Sequence, residues 1–486
     1  MNLRQVTETN MFWTIIDKTC YNSLNFIFQI ILARLLSPTD YGIIGYVVIF
    51  ISFSQIIVNG GLGMAIIQDQ QNTSLDNSTI FWYNFSLSLL MYLSLFFVAP
   101  LIANFFNQPI LIKVIRILSL NLIIGAFVVV QQNLLSKNFK MKSIAITNVV
   151  SLVIGAFIGI YGAYNHWGVW ALVCQNLTFT LATVFFFWSF STWKPDFVFS
   201  ISSFKKKFNF GYKLILSGIY ANIINNTVNI IIGKKYPTAK LGFYTRGLQF
   251  SDMVAFSFSA ILQQATFPIF AKIQSDKELF RTILKKLLCF SAFIMFPIMT
   301  LLYVLAEPIV ITLLTEKWRN LIPFIQILVF YRVLYPMAAL SLQSFNAIGR
   351  SDIFLKSELI KFPIILTAYI IAFHYNLETL LLINIGVMLI NYYITSFYIN
   401  KIFDYSYWHQ LKDFLPFIIL SLIMGLIVMG LRLVIPNFVI QIALGVIIGL
   451  PCYIVGVKLL KLPEYNEAKK TLKTMYLKFK PTTIIK

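Results

Sequence analysis

Lys18, Arg34, Arg116, Lys213, Arg246, Arg332 and Lys361 all fall inside long apolar stretches of this chain. A side-chain ion in hydrocarbon costs several kcal/mol unless it faces a cavity or meets a partner, so each of them needs an explanation. Asp17 stands beside Lys18, and Glu358 stands three residues before Lys361, which offers these two cations a structural pair. Asp252 follows Arg246 by six residues, a spacing that turns it well away on a helix. Arg34, Arg116, Lys213, Arg246 and Arg332 thus have no local partner in the sequence, and partners on other helices stay open. If several of these cations converge, their solute is an anion. A guanidinium presents a planar donor fork that matches phosphate oxygens, so a phosphate-bearing molecule fits best.

Neutral polar residues accompany the cations at helical spacing. Thr14, Asp17, Lys18, Tyr21, Asn22, Asn25 and Gln29 fall on one side of a first helix whose other side is Ile, Leu and Phe. Asn222, Asn225, Asn226 and Asn229 repeat the stripe later, with Lys213, Ser217 and Tyr220 on another face of the same segment. Two readings of the amides stay open: hydrogen bonds between packed helices, or the lining of a wet cavity. Asp17 likewise either couples an ion or pairs with Lys18.

These residues must be held by membrane helices. The chain is 58% hydrophobic and only 12% charged, too few polar side chains to cover a soluble surface of 486 residues. Runs of roughly 20 apolar residues suffice to span a bilayer, and they predict about fourteen transmembrane helices between residues 11 and 460. The net charge of +21 does not point to nucleic acid, because the cations concentrate on segments that alternate to one side: FKKKF at 204–208, Lys272 to Lys286, and the tail from Lys458. The positive-inside rule puts those segments and both termini in the cytoplasm, against anionic headgroups. Cys20, Cys174, Cys289 and Cys452 are unpaired in spacing and imply neither a disulfide framework nor a metal site. His166, His374 and His409 lie on different segments and form no catalytic pattern, and Gly60, Gly61 and Gly63 in NGGLG follow no strand, so they read as helix packing or a kink rather than a phosphate loop. The loops on the other side are short and leave no room for a catalytic domain. No cofactor is expected.

The chain also repeats itself at an offset of 200. Asn22 aligns with Asn222, Asn25 with Asn225, Gln29 with Asn229, Arg34 with Lys234 and Gly42 with Gly242, while Pro38 and Pro237 miss by one. Because the offset covers six spans, an even number, the copies keep their orientation. This is a parallel repeat of the kind found in transporters. The expected organisation is an N-lobe at 1–190, a cytoplasmic link at 191–208, a C-lobe at 209–400, two further helices at 401–460 and a basic tail at 461–486.

ARLLSPTDYG at 33–42, QDQQNTSLDNSTIFWYN at 68–84, GFYTRGLQF at 242–250, FPIFAKIQSDKE at 267–278, NAIGRSDIFLK at 346–356 and WHQLKDFLP at 408–416 form an ordered set. The set resembles the polysaccharide transport branch of the multidrug/oligosaccharidyl-lipid/polysaccharide exporter superfamily, and within it the colanic-acid-exporter-like flippases. The resemblance implies an all-α polytopic membrane protein with two six-helix lobes around a cavity and two C-terminal helices. It implies that the protein turns an undecaprenyl-diphosphate-linked oligosaccharide from the inner to the outer leaflet of a bacterial inner membrane, for O-antigen, capsule or exopolysaccharide synthesis. Arg34 and Arg246 stand at the family's arginine positions, whereas Lys234 replaces an arginine in the second copy. The expected cavity residues are Arg34, Arg246, Lys234, Lys213, Arg116, Arg332, Asn22, Asn25, Asn222 and Asn225, with Asp17 as the candidate for ion coupling. Expected partners are the lipid-linked substrate, membrane lipids and a polysaccharide polymerase machinery, with the flippase itself a monomer. Two alternatives remain: a cation-coupled multidrug-type exporter, which would favour intramembrane acids, and a membrane glycosyltransferase or ligase, which would need a general base or nucleotide site.

Overall fold

The computed structural model describes residues 3–59, 62–63, 66 and 72–465. Among these, every regular element is a helix, and the chain divides into two compact units, Met1–Thr245 and Arg246–Lys486. The first unit holds α1 (Leu3–Leu35), α2 (Pro38–Asn59), α3 (Ser74–Phe106), α4 (Ile110–Leu118), α5 (Leu120–Lys137), α6 (Met141–Tyr164), α7 (Val169–Phe190) and α8 (Ile201–Lys235). The boundary falls within α9 (Thr238–Lys272). In the second unit follow α10 (Lys277–Val304), α11 (Ala306–Leu314), a 3-10 turn (Glu316–Leu321), α12 (Ile322–Val333), α13 (Tyr335–Ala347), α14 (Ser351–Phe373), α15 (Leu377–Phe403), α16 (Tyr407–Val434) and α17 (Phe438–Leu459).

Eleven helical segments among the described residues are long and apolar enough to cross a bilayer, counting α4 with α5 and the 3-10 turn with α12 and α13. The long helices outside that set are α1, α8 and α14. They are also the helices that carry the amide stripes and the Glu358 and Lys361 charges. The all-α membrane fold expected from composition is present, with eleven segments reaching span apolarity against an expected fourteen.

The two Pro-Thr turns explain why the repeat is written twice. Pro38 opens α2 at its first position, and Ser37 and Asp40 close a cap around it: Ser37 N and Oγ both donate to Asp40 Oδ2, at 2.9 and 2.6 Å. Further on, α2 and α9 cross. A Cβ built on Gly42 would lie 2.1 Å from the Thr238 carbonyl oxygen, and one on Gly242 would lie 1.9 Å from that of Pro38. Thr238 is Pro38 shifted by 200 and Gly242 is Gly42 shifted by 200, so the contact is reciprocal. Gly233 allows the same approach to Tyr46, whose hydroxyl donates to the Gly233 carbonyl at 3.1 Å.

The segment expected as a link is helical from Ile201 onward, and only 191–200 lies outside a helix. That short strap is fastened to the first unit. Trp82 Nε1 donates to the Asp196 carbonyl at 2.8 Å, Gln131 Nε2 to the Trp193 carbonyl at 3.2 Å, and Asp196 N to Ser78 Oγ at 3.1 Å. The compact units part between Thr245 and Arg246, and α8 packs into the first unit along its length. Ser203 Oγ donates to Asp76, Gly218 lies against Ile56, and Asn222 Nδ2 donates to Ser52 Oγ at 2.9 Å. Of the FKKKF cluster, Lys205 is exposed, but Lys207 is buried and donates to Asn72 Oδ1 at 3.0 Å. One of the expected headgroup cations thus serves helix packing instead.

In the second unit the rings of Phe270, Phe280 and Phe403 stack with centroids 4.8 and 4.3 Å apart. Exposed ion pairs sit nearby, Lys277 with Asp404 at 2.7 Å and Lys285 with Asp413 at 2.8 Å. Its hydrogen bond from Lys277 holds the Asp404 carboxyl below the usual carboxylate range. Residues 466–486, most of the basic tail, lie outside the described residues.

The crossing makes a direct prediction. Gly42→Val and Gly242→Val should each destabilise the detergent-solubilised protein by about 1–3 kcal/mol or more, since backbone rather than a flexible side chain stands in the way. Gly386→Ala, where an added Cβ meets nothing within 4 Å, serves as the control and should leave the melting temperature unchanged or slightly raised. Thermal unfolding of the three variants decides it.

Candidate functional site

The expected site residues divide into those already satisfied by the fold and those placed on open faces. Arg116 belongs to the first group. Its Nε donates to the Phe96 carbonyl at 3.2 Å, and its guanidinium lies 4.1 Å from the Phe96 ring centroid. Phe96 is four residues before Pro100 inside α3, so its carbonyl has no amide to receive from the next turn, and Arg116 fills that gap. Arg332, on α12, meets Asp252 on α9: Nε to Oδ1 at 2.5 Å and Nη2 to Oδ2 at 3.3 Å, with the Tyr331 and Phe256 rings at 4.4 and 5.0 Å. Sequence alone left both arginines without partners. The partner of Arg332 is eighty residues away in sequence, beyond any spacing rule, and that of Arg116 is a main-chain oxygen.

Lys361 pairs with Glu358 at 2.8 Å and is only 4% exposed. Asp17 is reached from α6, where Asn148 Nδ2 lies 3.2 and 3.1 Å from its two carboxylate oxygens, while Lys18 is exposed.

The cations of the repeat are placed differently. Arg34 and Lys234 are both exposed, each at the last turn of its helix, where the dipole favours positive charge. Lys234 Nζ donates to the Phe105 carbonyl at the end of α3 and lies 4.5 Å from the Phe105 ring centroid. Arg246 is 6% exposed, and its Nη1 donates to Gln249 Oε1 on the next turn. The side chain of Lys213 lies outside the described residues, although its backbone is helical.

Among the stripe amides, Asn222 joins α8 to α2 through Ser52, whereas Asn22 and Asn225 are exposed and Asn25 is half-buried. In NGGLG, Gly60 and Gly61 lie outside the described residues; Gly63 packs close against Asn133 of α5.

Each unit also holds a recess. In the second unit α10, α12 and α16 enclose a groove of about 560 Å³ walled by residues such as Phe296, Tyr303, Phe330, Leu422 and Met429. Its wall is apolar, the wrong chemistry for a charged head group. In the first unit α2, α5 and α7 frame a recess of about 230 Å³ lined by Gln55, Asn59, Asn121, Gln132, Thr180 and Thr183, with Phe179 beside them. Tyr21 of the α1 stripe lies 6.3 Å from the Phe179 ring, centroid to centroid. Sequence reasoning passed over this set. Its signal was nonetheless present: Gln55 and Asn59 are four apart, Thr180 and Thr183 three apart, and Asn121 and Gln132 three turns apart, so each pair shares a helix face.

With this geometry in place, likeness to known proteins decides the family. A model described as polysaccharide biosynthesis protein matches residues 31–323, more than half of the chain. The chain belongs to that family. It is 25% identical to the succinoglycan biosynthesis transport protein ExoT of Rhizobium meliloti (strain 1021), over 68% of this chain and 66% of that protein, so the match spans just under two thirds of ExoT. It is 24% identical to the lipopolysaccharide biosynthesis protein WzxC of Escherichia coli (strain K12), over 68% and 67% of the two chains. In three dimensions it is similar to the lipid II flippase MurJ in an inward closed conformation, with a TM-score of 0.71 at 17% identity over 93% of this chain and 99% of that one. An inward-facing multidrug resistance transporter of the MATE family follows at 0.59 and 14%, over 80% and 98%. The fold is therefore that of the flippases and exporters that sequence resemblance named. The matched residues include Arg34, Lys234 and Arg246.

The Arg332–Asp252 pair allows a clean separation of structural from substrate roles. Asp252→Ala, which strands the guanidinium, should cost about 3–5 kcal/mol, whereas the double change Asp252→Leu, Arg332→Met should be close to neutral. Unfolding of both variants in detergent, with transport measured in cells, checks this: the double variant is expected to remain active.

Proposed function

We propose that this protein is a flippase of surface-polysaccharide biosynthesis that carries a polyprenyl-diphosphate-linked oligosaccharide across the bacterial inner membrane by alternating access. The observation that carries the reading is family membership over a stretch that contains both Pro-Thr turns and the three cations Arg34, Lys234 and Arg246. Relatives named for succinoglycan transport and lipopolysaccharide biosynthesis support the substrate class. In this mechanism no bond of the substrate is made or broken. Arg34, Lys234 and Arg246 bind the diphosphate, while the polyprenyl tail stays in lipid. A planar fork on the arginines adds directional hydrogen bonds to the charge attraction. The protein works with membrane lipids and a polysaccharide polymerase machinery as partners.

A cation-coupled drug exporter is the competing reading, and one observation weighs against it. Such a transporter requires acids ready to take a cation, but Asp252 and Glu358 are engaged by Arg332 and Lys361, and Asp17 by the Asn148 amide. We assign Asp17 to helix packing at the α1–α6 interface rather than to ion coupling.

Two experiments follow. Double substitution Arg34→Ala, Arg246→Ala should abolish surface-polysaccharide complementation while membrane insertion stays normal, and Arg246→Lys should restore only part of the activity because the fork is lost. Normal export by the double variant would remove these cations from the substrate path. For topology, Lys206→Cys in a background without native cysteines should resist an impermeant maleimide in intact cells, as the cytoplasmic placement of FKKKF requires. Rapid labelling there would reverse the orientation.

A further inference from the structure

The recess between α2, α5 and α7 has a chemistry unlike that of the turn cations. Among the described residues that line it, none is charged. Asn121 stands on this wall with its Oδ1 turned into the packing and without a hydrogen-bond partner, so a rotation of its side chain toward a solute breaks no hydrogen bond of that oxygen. The hydroxyls of Thr180 and Thr183 donate to the carbonyls of Asn176 and Phe179 on their own helix, at 3.0 and 2.7 Å, so toward the recess their oxygens can only accept. The amide nitrogens of Gln55, Asn59 and Gln132 supply donors. The wall thus offers both donors and acceptors around a space that Phe179 also lines.

We propose that this recess binds an uncharged sugar ring of the transported lipid-linked saccharide. A hydroxyl both donates and accepts, so a polyol satisfies a mixed amide and threonine wall that a phosphate, which only accepts, does not. The Phe179 ring offers an apolar face to the C–H side of a pyranose. At about 230 Å³ the recess is smaller than the roughly 300–1,000 Å³ typical of pockets for drug-sized ligands, which fits one ring and not a whole repeat unit. A uronic acid fits the same wall poorly, since its carboxylate would be desolvated with no cation among the described lining residues to meet it. The inference rests on the flippase reading for its substrate class, while its residues are separate from the cations that bind diphosphate.

The test separates the two. Purified full-length protein is titrated with farnesyl diphosphate and with farnesyl diphosphates bearing glucose, galactose, mannose, N-acetylglucosamine or glucuronic acid. At least one neutral sugar should bind about fivefold to tenfold more tightly than the bare diphosphate, the scale of one or two net hydrogen bonds, and glucuronic acid should gain nothing. Asn121→Leu and, independently, Thr180→Val should remove that gain and leave farnesyl diphosphate affinity unchanged. The proposal is overturned if no neutral sugar adds affinity, if glucuronic acid gains as much as the neutral sugars, or if both variants keep the gain or lose bare-diphosphate binding equally. Failure of the flippase reading looks different: farnesyl diphosphate then does not bind, or binds equally well to Arg34→Ala, Arg246→Ala protein.

Discussion

Two main-chain oxygens, those of Pro38 and Thr238, occupy space that only glycine can leave open, and each faces the glycine of the other copy of the repeat. Backbones that close replace side-chain packing with direct contact, which is how membrane helices associate when water gives no hydrophobic drive between them. From this contact the path of four helices follows. It fixes the start of α2 and of α9, and through the short turns it fixes where α1 and α8 must end. Arg34 and Lys234, one turn upstream of the crossing, are thereby held at the ends of their helices whatever else the chain does.

The second constraint is the bilayer's intolerance of unmet charge. This chain meets it in several ways: a carboxylate for Arg332, a neighbouring turn for Lys361 and a carbonyl released by a proline for Arg116. Each of these cations is absorbed into packing. Arg34 and Lys234, by contrast, stand exposed at the ends of their helices, and amides and hydroxyls form a larger neutral surface. Strong, directional attraction is confined to few residues, and weak, exchangeable hydrogen bonds cover the rest. A carrier that must release its cargo needs that balance, because uniformly tight binding would trap the substrate in one state.

Much of this was legible in letters. Length, apolar runs and the 200-residue repeat led to an all-helical membrane protein, and Gly42 and Gly242 were aligned before their contact was known. Asp17 and Lys18 show what reading along the chain leaves out. Neighbours in sequence lie about 100° apart on a helix and do not face each other, and the amide that reaches Asp17 comes from 131 residues away. Arg332 and Asp252 were both noted, but nothing in their spacing could join α12 to α9. The anchoring of the strap at 191–200 is not legible in the sequence because it depends on tryptophan and glutamine side chains on α3 and α5, which carry no local signature. The amide recess was overlooked for a related reason: its three helices each contribute one ordinary-looking pair.

The helix α2 joins these features physically. It begins at the crossing, with Gly42 against Thr238, and ends at Asn59 on the wall of the recess. Seventeen residues of helix separate them, about 25 Å at 1.5 Å per residue. A rod pinned at one end amplifies rotation at the other, so a tilt of about 10° at the crossing would displace Asn59 by about 4 Å. A hydrogen bond is lost over a much smaller distance. The neutral lining is therefore suited to being made and unmade by modest helix motion, whereas the glycine contact, which tolerates no added atom, is suited to staying fixed.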